Sequence, residues 1–321
     1  MIGTGDVTER KSGPAFSKVP GSRLVAVGNR TPSRAEDYAR RHGIPAWHAD
    51  PFDVITDPAV DIVYIATPPG SHTGYALACI ETGKPVYIEK PMTRTGAECR
   101  EINSAAAKAG VKVFVAYYRR SLEYFNRVKE LLDSGRLGKP LQVTMVQYFP
   151  ARPEDMDPAN LPWRVVPGIS GGGYFHDVGC HALDILFYLF GNPLSVTGTA
   201  GNLGGLYDAD DTVTALLTLP GNLPAGCSWS FVTPELFAED RVVVTGERGR
   251  LAFSIFSFEP IIFNPVSGEP ETFSTIQPEH IQLPCIRSIV DELRGRGSCP
   301  STGLTAEVTS RVMDRVTEFS S

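Results

Sequence analysis

Residues 171–184, GGGYFHDVGCHALD, place two histidines and two aspartates directly ahead of an apolar run, ILFYLFGNP. Asp177 and His181 are four residues apart and Asp184 lies three further on, so a helix would carry all three on one face. The apolar run predicts a buried helix, and buried ionisable groups are costly unless they are paired or used in chemistry. Because a histidine beside a carboxylate is the usual proton-transfer unit, the segment predicts acid–base chemistry.

Two other interpretations of this segment stay open. Asp177 and His181 could form a structural hydrogen bond inside a core. A metal could bind His176 and His181 with the aspartates, but histidines five residues apart diverge on a helix, unlike the pair four apart in HExxH sites. Cys180 is predicted to be a small buried hydrophobe. We therefore predict no metal site.

A second candidate group is the lysine of Glu89-Lys90-Pro91, which follows the apolar segment PVYIE. Ligands of open parallel sheets bind at the carboxyl ends of the strands. A cation at that edge could polarise a substrate oxygen. The alternative is an ion pair at the strand end, with the lysine stem covering apolar surface.

The first residues, IGTGDVT, contain Gly3-x-Gly5, with Thr8 in the third small-residue position of a dinucleotide-binding fingerprint. Backbone N–H groups at the start of the following helix would face a pyrophosphate. The alternative is a glycine turn without a ligand. The residues assigned to the cofactor here are Gly3, Thr4, Gly5, Asp6 and Val7.

The end of the second strand favours NADP over NAD. An acidic residue usually stands ~20 residues past the glycines, where it holds the ribose 2'-hydroxyl of NAD. Here the sequence reads Gly28-Asn29-Arg30, and an arginine can pair with a 2'-phosphate. Asn29 and Arg30 are therefore assigned to the cofactor. Alternatively, Arg30 lies flat on the adenine or points into solvent.

The first strand of such a sheet is central and takes about five residues. Only Met1 and Ile2 precede the glycines. We therefore expect a truncated first strand and a native chain that begins upstream of Met1.

The elements that must position these groups fall into two domains. Over residues 1–119, continuous apolar strands alternate with helical segments, which predicts a Rossmann domain with a doubly wound parallel sheet. One helix is expected to begin after Thr31, with Pro32 in its first position, and to end at Gly43. The strand segments are RLVAV, DIVYIA, PVYIE and VKVFVAYY.

Residues 120–321 change to strand-rich sequence with alternating apolar positions and the turn signals PGN and GERG. This rhythm predicts a C-terminal α+β domain on a largely antiparallel open sheet. The final segment, TAEVTSRVMDRVTEFSS, has helical spacing. The predicted strands are LQVTMVQYF, LSVTGTA, DTVTALLTL, AGCSWSFV, RVVVTG and LAFSIF.

Composition excludes several classes of protein. The chain has 321 residues, 42% hydrophobic and 21% charged, and a formal net charge of -6 without a basic stripe, so nucleic acid is not an expected partner. The six cysteines form no CxxC pair, which favours a reducing cytoplasm. No apolar run approaches the ~20 residues of a membrane helix, so we expect a cytoplasmic protein without membrane contact.

In order along the chain, GxG, TPP at 67–69 followed by His72, EKP at 89–91, and GGG with D-x-G-x-H-x-x-D at 171–184 resemble the Gfo/Idh/MocA family. This is the family of glucose-fructose oxidoreductase and inositol dehydrogenase, and the likeness extends over nearly the whole length. It implies a Rossmann domain, an α+β domain over residues 120–321 that binds substrate and whose open sheet often serves oligomer formation, and NAD(P)-dependent hydride transfer on sugars, polyols or related alcohols.

The resemblance also implies residue roles. Lys90 matches the catalytic lysine, and Asp177 and His181 match the aspartate and histidine. The peptide bond before Pro91 is often cis in the family. The remaining matches are Thr67, Pro68 and His72 beside the nicotinamide ribose, Glu89 with the cofactor, and Tyr118, Trp163 and Arg164 with the substrate. For Trp163 and Arg164 the alternative is a packed loop.

The expected mechanism follows from these roles. His181 accepts the hydroxyl proton while hydride leaves the same carbon, Asp177 orients the imidazole, and Lys90 stabilises the developing alkoxide. The substrate would be a small sugar or polyol, and the protein a homo-oligomer, dimer or tetramer. Two competing functions are a non-catalytic dinucleotide-sensing regulator and a glycoside-cleaving enzyme with no net redox change.

Overall fold

A computed structural model describes residues 1–318, in two compact units. The first contains Met1–Leu122 and Pro278–Ser310, and the second contains Glu123–Gln277 with the residues from Arg311 onward. The sequence predicted a single boundary after residue 119. The observed boundary follows residue 122, and the segment 278–310, expected in the C-terminal domain, packs within the first unit.

The regular elements are as follows. The helices are α1 (Asp6–Arg10), α2 (Gly13–Lys18), α3 (Pro32–His42), α4 (Pro51–Thr56), α5 (His72–Glu81), α6 (Gly96–Ala109), α7 (Glu123–Asp133), α8 (Pro167–Ser170), α9 (Cys180–Phe190), α10 (Leu283–Leu293) and α11 (Gly303–Thr317). The strands are β1 (Ala26–Gly28), β2 (Ala46–His48), β3 (Val63–Ile65), β4 (Val86–Ile88), β5 (Val113–Val115), β6 (Pro140–Tyr148), β7 (Ser195–Gly201), β8 (Thr212–Leu219), β9 (Leu223–Ser230), β10 (Glu239–Gly246), β11 (Gly249–Phe253), β12 (Ile261–Pro265) and β13 (Glu271–Phe273).

The first unit contains the predicted Rossmann-type parallel sheet. Strand β1 pairs with β2, and β3 pairs with β4 and β4 with β5, all in parallel. Ile2 bridges Gly28 on one side and Ile65 on the other, so the first residues lie between β1 and β3. The buried, β-branched sequences of β3 and β5 suit a parallel sheet that is covered on both faces.

Met1 and Ile2 form hydrogen bonds with the strands on both sides. The amide of Gly28 donates to Met1 O at 2.9 Å, and the amide of Ile2 donates to Tyr64 O at 2.8 Å. The Met1 amino group is buried and donates to Ala26 O at 2.7 Å, and burial lowers the pKa of this amine to about 5. A cleft of about 480 Å³ lies beside Met1, lined on either side by residues 23–26 and 59–62.

The helix that follows β1 shows how local sequence sets the elements of this unit. α3 begins directly after Thr31 with Pro32 in its first position, and Gly43 ends it in the left-handed region at φ 64°. Both ends are as predicted, because proline suits the first helical turn and glycine the left-handed cap. Three residues separate the end of β1 from the start of this helix, and two of them are the predicted cofactor residues Asn29 and Arg30.

The second unit is built on an eight-stranded sheet in the order β13-β12-β11-β10-β6-β9-β8-β7. Neighbouring strands are antiparallel except β6 and β9, which run parallel. Buried and exposed positions alternate along β8 and β9, as expected for a sheet with one covered face. The C-terminal helix, α11, ends at Thr317, and residues 319–321 of the predicted helix lie outside the described residues.

Helix α9 carries the last five residues of the segment GGGYFHDVGCHALD, among them His181 and Asp184. Its residues from Cys180 to Phe187 are all buried, which confirms the predicted buried helix. The helix packs near α7, where Tyr188 donates to Asn126 Oδ1 at 2.7 Å. A single π-helical turn, Phe175–Gly179, precedes α9 and was not predicted.

We predict that Gly3→Ala destabilises the protein by about 2 to 3 kcal/mol, because Gly3 has φ 94° and an added Cβ would lie 2.5 Å from Ala66 O. Urea unfolding measures this loss. The matched control is Gly5→Ala: Gly5 has φ -90°, and an added Cβ meets no atom within 4 Å. Equal free energies of unfolding for the two variants would contradict the close contact between position 3 and Ala66 O.

Candidate functional site

The cofactor residues predicted from the fingerprint lie at the carboxyl edge of the parallel sheet. Gly3 follows the bridge residue Ile2, and α1 starts at Asp6, so the loop and the helix start adjoin. The Asn29 side chain donates from Nδ2 to Thr4 Oγ1 at 2.7 Å, which joins the loop after β1 to the glycine loop. The first amides of a helix lack intrahelical partners, and here the Thr8 amide already donates to Gly5 O at 2.9 Å, so the amides before Thr8 are the donors that this edge offers to an anion.

Arg30 and the start of α3 complete the electropositive side of this edge. Arg30 is exposed, and within residues 1–318 its guanidinium makes no hydrogen bond or ion pair. The Asn29 side chain instead turns back on its own backbone, where Oδ1 accepts from the Thr31 amide at 2.9 Å. The position that holds an acidic residue in NAD-specific fingerprints thus presents a cation to solvent.

His72 ties together two of the predicted loops. Its ring is fully buried, with Nε2 at 2.7 Å from Thr67 O and Nδ1 at 3.1 Å from Met92 O. Burial lowers the pKa of this imidazole. The neutral ring donates from one nitrogen at a time, and it packs between the loop of Thr67 and Pro68 and the segment after Pro91. Thr67 is half-buried and Pro68 exposed.

Glu89 is buried and surrounded by hydrogen-bond donors. Tyr64 Oη and Gln282 Nε2 each donate to Glu89 Oε1 at 2.6 Å, and the amide of Lys90 donates to Oε2 at 3.2 Å. Tyr87 Oη donates to Gln282 Oε1 at 2.8 Å. Burial and the adjacent carboxylate raise the pKa of the Tyr64 hydroxyl well above its ordinary value, so it stays a donor.

Lys90 itself is half-buried at the end of this network, and the bond from Lys90 to Pro91 is cis, as the resemblance implied.

Tyr118 lies in a 3-10 turn, Tyr118–Ser121, where it is 7% exposed and Arg119 Cζ lies 5.0 Å from its ring centroid. Lys90 and Tyr118 both belong to the first unit.

In the second unit, Asp177 lies within the π-helical turn and His181 in the first turn of α9. Asp177 is 8% exposed and His181 4% exposed, and the His181 ring packs edge-on against Phe256 with centroids 5.7 Å apart. A side chain at position 179 would clash with the Phe175 ring in this turn, because a Cβ added to Gly179 would lie 2.7 Å from it. Single π turns inside helices are frequent at functional sites.

Trp163 and Arg164 lie beside Asp177. Arg164 Nε donates to Asp177 Oδ2 at 3.2 Å, and Arg164 Cζ lies 4.8 Å from the Trp163 ring centroid. Stacking and the ion pair hold the guanidinium plane in place. Within the described part of the chain, its terminal nitrogens make no further hydrogen bond, so they remain available to a ligand.

His176 differs from His181. Its Nδ1 lies 3.1 Å from Gly172 O, and an added Cβ at Gly172 would clash with the imidazole, so the glycine makes room for the ring. Across residues 1–318, no three His, Cys, Asp or Glu side chains are placed to hold a metal ion. Over the same residues, no helix is both long and apolar enough to span a membrane.

Two contributors to the site carried no sequence signal. Tyr64 lies within the apolar strand segment DIVYIA, and Gln282 lies in QPEHIQLP, almost two hundred residues beyond Glu89. Only the folded first unit brings them to one carboxylate. A tyrosine in a strand and a glutamine before a helix are each too common to predict this contact.

Residues 1–117 match the family described as "Oxidoreductase family, NAD-binding Rossmann fold", and residues 125–252 match the "GFO/IDH/MocA C-terminal domain". The chain is 34% identical to oxidoreductase P35 of Formosa agariphila over 314 residues, which cover 98% of this chain and 96% of that protein. A scyllo-inositol 2-dehydrogenase (NAD(+)) of Bacillus subtilis is 32% identical over 201 residues, 62% of this chain and 55% of that protein. The structure of levoglucosan dehydrogenase in complex with NADH and L-sorbose shares the fold with TM-score 0.89, at 20% identity over 98% of this chain and 94% of that one.

We predict a pH dependence of stability from His176, because burial lowers its pKa to about 4. Between pH 4 and about 6.5 the unfolded chain binds a proton that the folded chain does not, so this residue makes stability rise with pH by about 1.4 kcal/mol per unit. Urea unfolding at several pH values should show a smaller slope in His176→Gln, whereas Gln142→Ala, an exposed substitution that removes no titratable group, keeps the wild-type slope. An unchanged slope in His176→Gln would contradict the prediction.

Proposed function

Because this chain belongs to the Gfo/Idh/MocA family of oxidoreductases, we propose that its substrate is a sugar, polyol or related cyclic alcohol, oxidised or reduced at a CH–OH carbon. The observation that carries the proposal is the burial of Asp177 and His181 where the π turn meets helix α9, with Arg164 bonded to the aspartate. Buried acid–base groups of this kind are retained where they are used.

In the proposed reaction, proton transfer, charge stabilisation and substrate binding fall to different side chains. His181 accepts the hydroxyl proton of the substrate on oxidation and returns it on reduction. Asp177, fixed by Arg164, orients the imidazole and stabilises its protonated form. Lys90 stabilises the alkoxide as it develops. Trp163 and Arg164 bind the substrate, and within residues 1–318 the terminal nitrogens of Arg164 make no other hydrogen bond, which suits vicinal hydroxyl oxygens. Tyr118 is proposed as a further substrate-binding residue.

A nicotinamide cofactor fits the residues at the edge of the parallel sheet, and it supplies hydride transfer when bound. Gly3, Thr4, Gly5, Asp6 and Val7 present the glycine loop and the start of α1 to the pyrophosphate. Thr67, Pro68, Glu89 and Lys90 border the nicotinamide half, with His72 holding that loop in place. Asn29 and Arg30 receive the adenine ribose.

We also propose that NADP is preferred. Arg30 is exposed and without an ion partner among residues 1–318, and it lies two residues before the start of α3. A guanidinium beside a helix N-terminus is the arrangement that suits a 2'-phosphate dianion.

The protein is further proposed to be a cytoplasmic homo-oligomer. On the large sheet, Ile262, Ala252, Val243, Thr144, Gly226 and Leu216 form one row across the strands. Leu216 is 61% and Ile262 39% exposed within that row. Apolar residues on an open sheet face suit association with a second copy.

We predict that Lys90→Ala and His181→Ala each lower kcat by about 100-fold or more, because general acid–base groups and charge stabilisation contribute rate factors of this order. The assay screens sugars and polyols for a change in nicotinamide absorbance. Lys108→Ala and His42→Ala, at exposed positions, should keep wild-type rates. Cofactor binding with no turnover on any substrate would favour a sensing protein, and bond cleavage without absorbance change would favour a glycoside-cleaving enzyme.

We predict that Arg30→Ala raises the Kd for NADPH about 10- to 100-fold, the factor that one charged hydrogen-bonding partner contributes, and leaves the Kd for NADH within about twofold. Fluorescence titration with each cofactor measures both constants. Arg23→Ala is the matched control, because Arg23 is exposed and precedes β1 at its opposite end. An unchanged Kd for NADPH in Arg30→Ala would contradict the proposal that Arg30 makes the protein prefer NADP.

A further inference from the structure

Gln282 reaches the Lys90 segment from a distant part of the chain. It precedes α10, and its side chain is fully buried. Its amide oxygen accepts from Tyr87 Oη at 2.8 Å, and its amide nitrogen donates to Glu89 Oε1 at 2.6 Å. Only one orientation of the amide satisfies both neighbours, since the flipped amide would place its oxygen against a carboxylate.

The Glu89 carboxylate transmits this contact to Lys90. Oε1 accepts from Gln282 and Tyr64, and Oε2 accepts from the Lys90 amide at 3.2 Å. The hydrogen bonds from Gln282 and Tyr64 to Oε1 therefore fix the rotation of the Glu89 carboxylate. The other oxygen, Oε2, then holds the peptide group of Lys90 through its amide.

We propose that Gln282 is a positioning residue for Lys90, which acts by fixing the Glu89 carboxylate that holds the Lys90 peptide. The proposal rests on the catalytic role given to Lys90 above. Without the Gln282 N–H, Glu89 loses one of two donors on Oε1, and a buried acceptor left short of a donor reorients or admits water. A shift of the lysine at the reacting carbon affects the transition state more than ground-state binding.

A pair of substitutions at Gln282 separates positioning from simple support of the fold. Gln282→Met keeps the volume but removes both polar atoms, so we expect kcat about 10-fold lower at every pH and KM within about threefold. Gln282→Glu places a second carboxyl group against Glu89, and two carboxyl groups at this distance share one proton. The protonated form donates as the amide does.

We therefore expect Gln282→Glu to work near the wild-type rate at acidic pH and to fall toward the Gln282→Met rate as the shared proton is lost. The measured quantity is the ratio of variant to wild-type kcat over pH, taken below the unfolding temperature of each variant. Gln142→Glu, at an exposed position on β6, controls for the added charge and should keep a flat ratio. A flat ratio in Gln282→Glu, or a wild-type kcat in Gln282→Met, would overturn the proposal.

A second readout does not depend on turnover. An amine-acylating reagent, followed by mass spectrometry, gives the labelling rate of Lys90 relative to Lys108 in the same sample. At pH 8, Gln282→Met and Gln282→Glu should each change this ratio at least threefold, and Gln142→Glu should not. If the wild type turns over no substrate, the proposed function fails, yet an altered Lys90 ratio still supports positioning and an unaltered one refutes it.

Discussion

The carboxylate of Glu89 is buried at the carboxyl end of β4, and an acceptor in that place must be given donors. Tyr64 comes from the neighbouring strand β3, the Lys90 amide from the same turn, and Gln282 from the segment before α10. Three distant pieces of sequence therefore have to meet before the site exists. The parallel pairing of β3 with β4 brings the Tyr64 hydroxyl to the Glu89 carboxylate, and the packing of the segment before α10 brings the Gln282 amide to it.

In the second unit the constraint is steric rather than electrostatic. The helix that bears His181 has to begin within a packed core, and the side chains ahead of it need room. Gly172 makes room for His176, and Gly179 admits the turn against Phe175. Gly172 and Gly179 thus act through the volume they leave open, whereas Gly171 and Gly173 adopt positive φ of 97° and 73°. The π turn that follows the GGG segment contains Asp177, which Arg164 contacts.

The sequence predicted those parts of the fold that local patterns encode. The apolar runs located β3, β4 and β5, and Thr31, Pro32 and Gly43 marked the ends of α3, because strand periodicity and caps are properties of adjacent residues. The π turn was missed, since Asp177 and His181 four apart read as ordinary helix. The hydrogen bond between Arg164 and Asp177, and the one between Gln282 and Glu89, depend on chain reversals that no local signal records. The return of residues 278–310 to the first unit was missed for the same reason.

That return has a consequence for the order in which the protein is made. Synthesis proceeds from the amino terminus, and domains generally fold as they emerge from the ribosome. Residues 1–122 emerge first, but Gln282 and the partner of Phe114 in the bridge to Thr302 are translated much later. The first unit therefore stays short of one of the three donors to Glu89 while the second unit is translated. A nascent chain halted before residue 282 would carry every residue of the glycine fingerprint and still lack the Gln282 donor to Glu89.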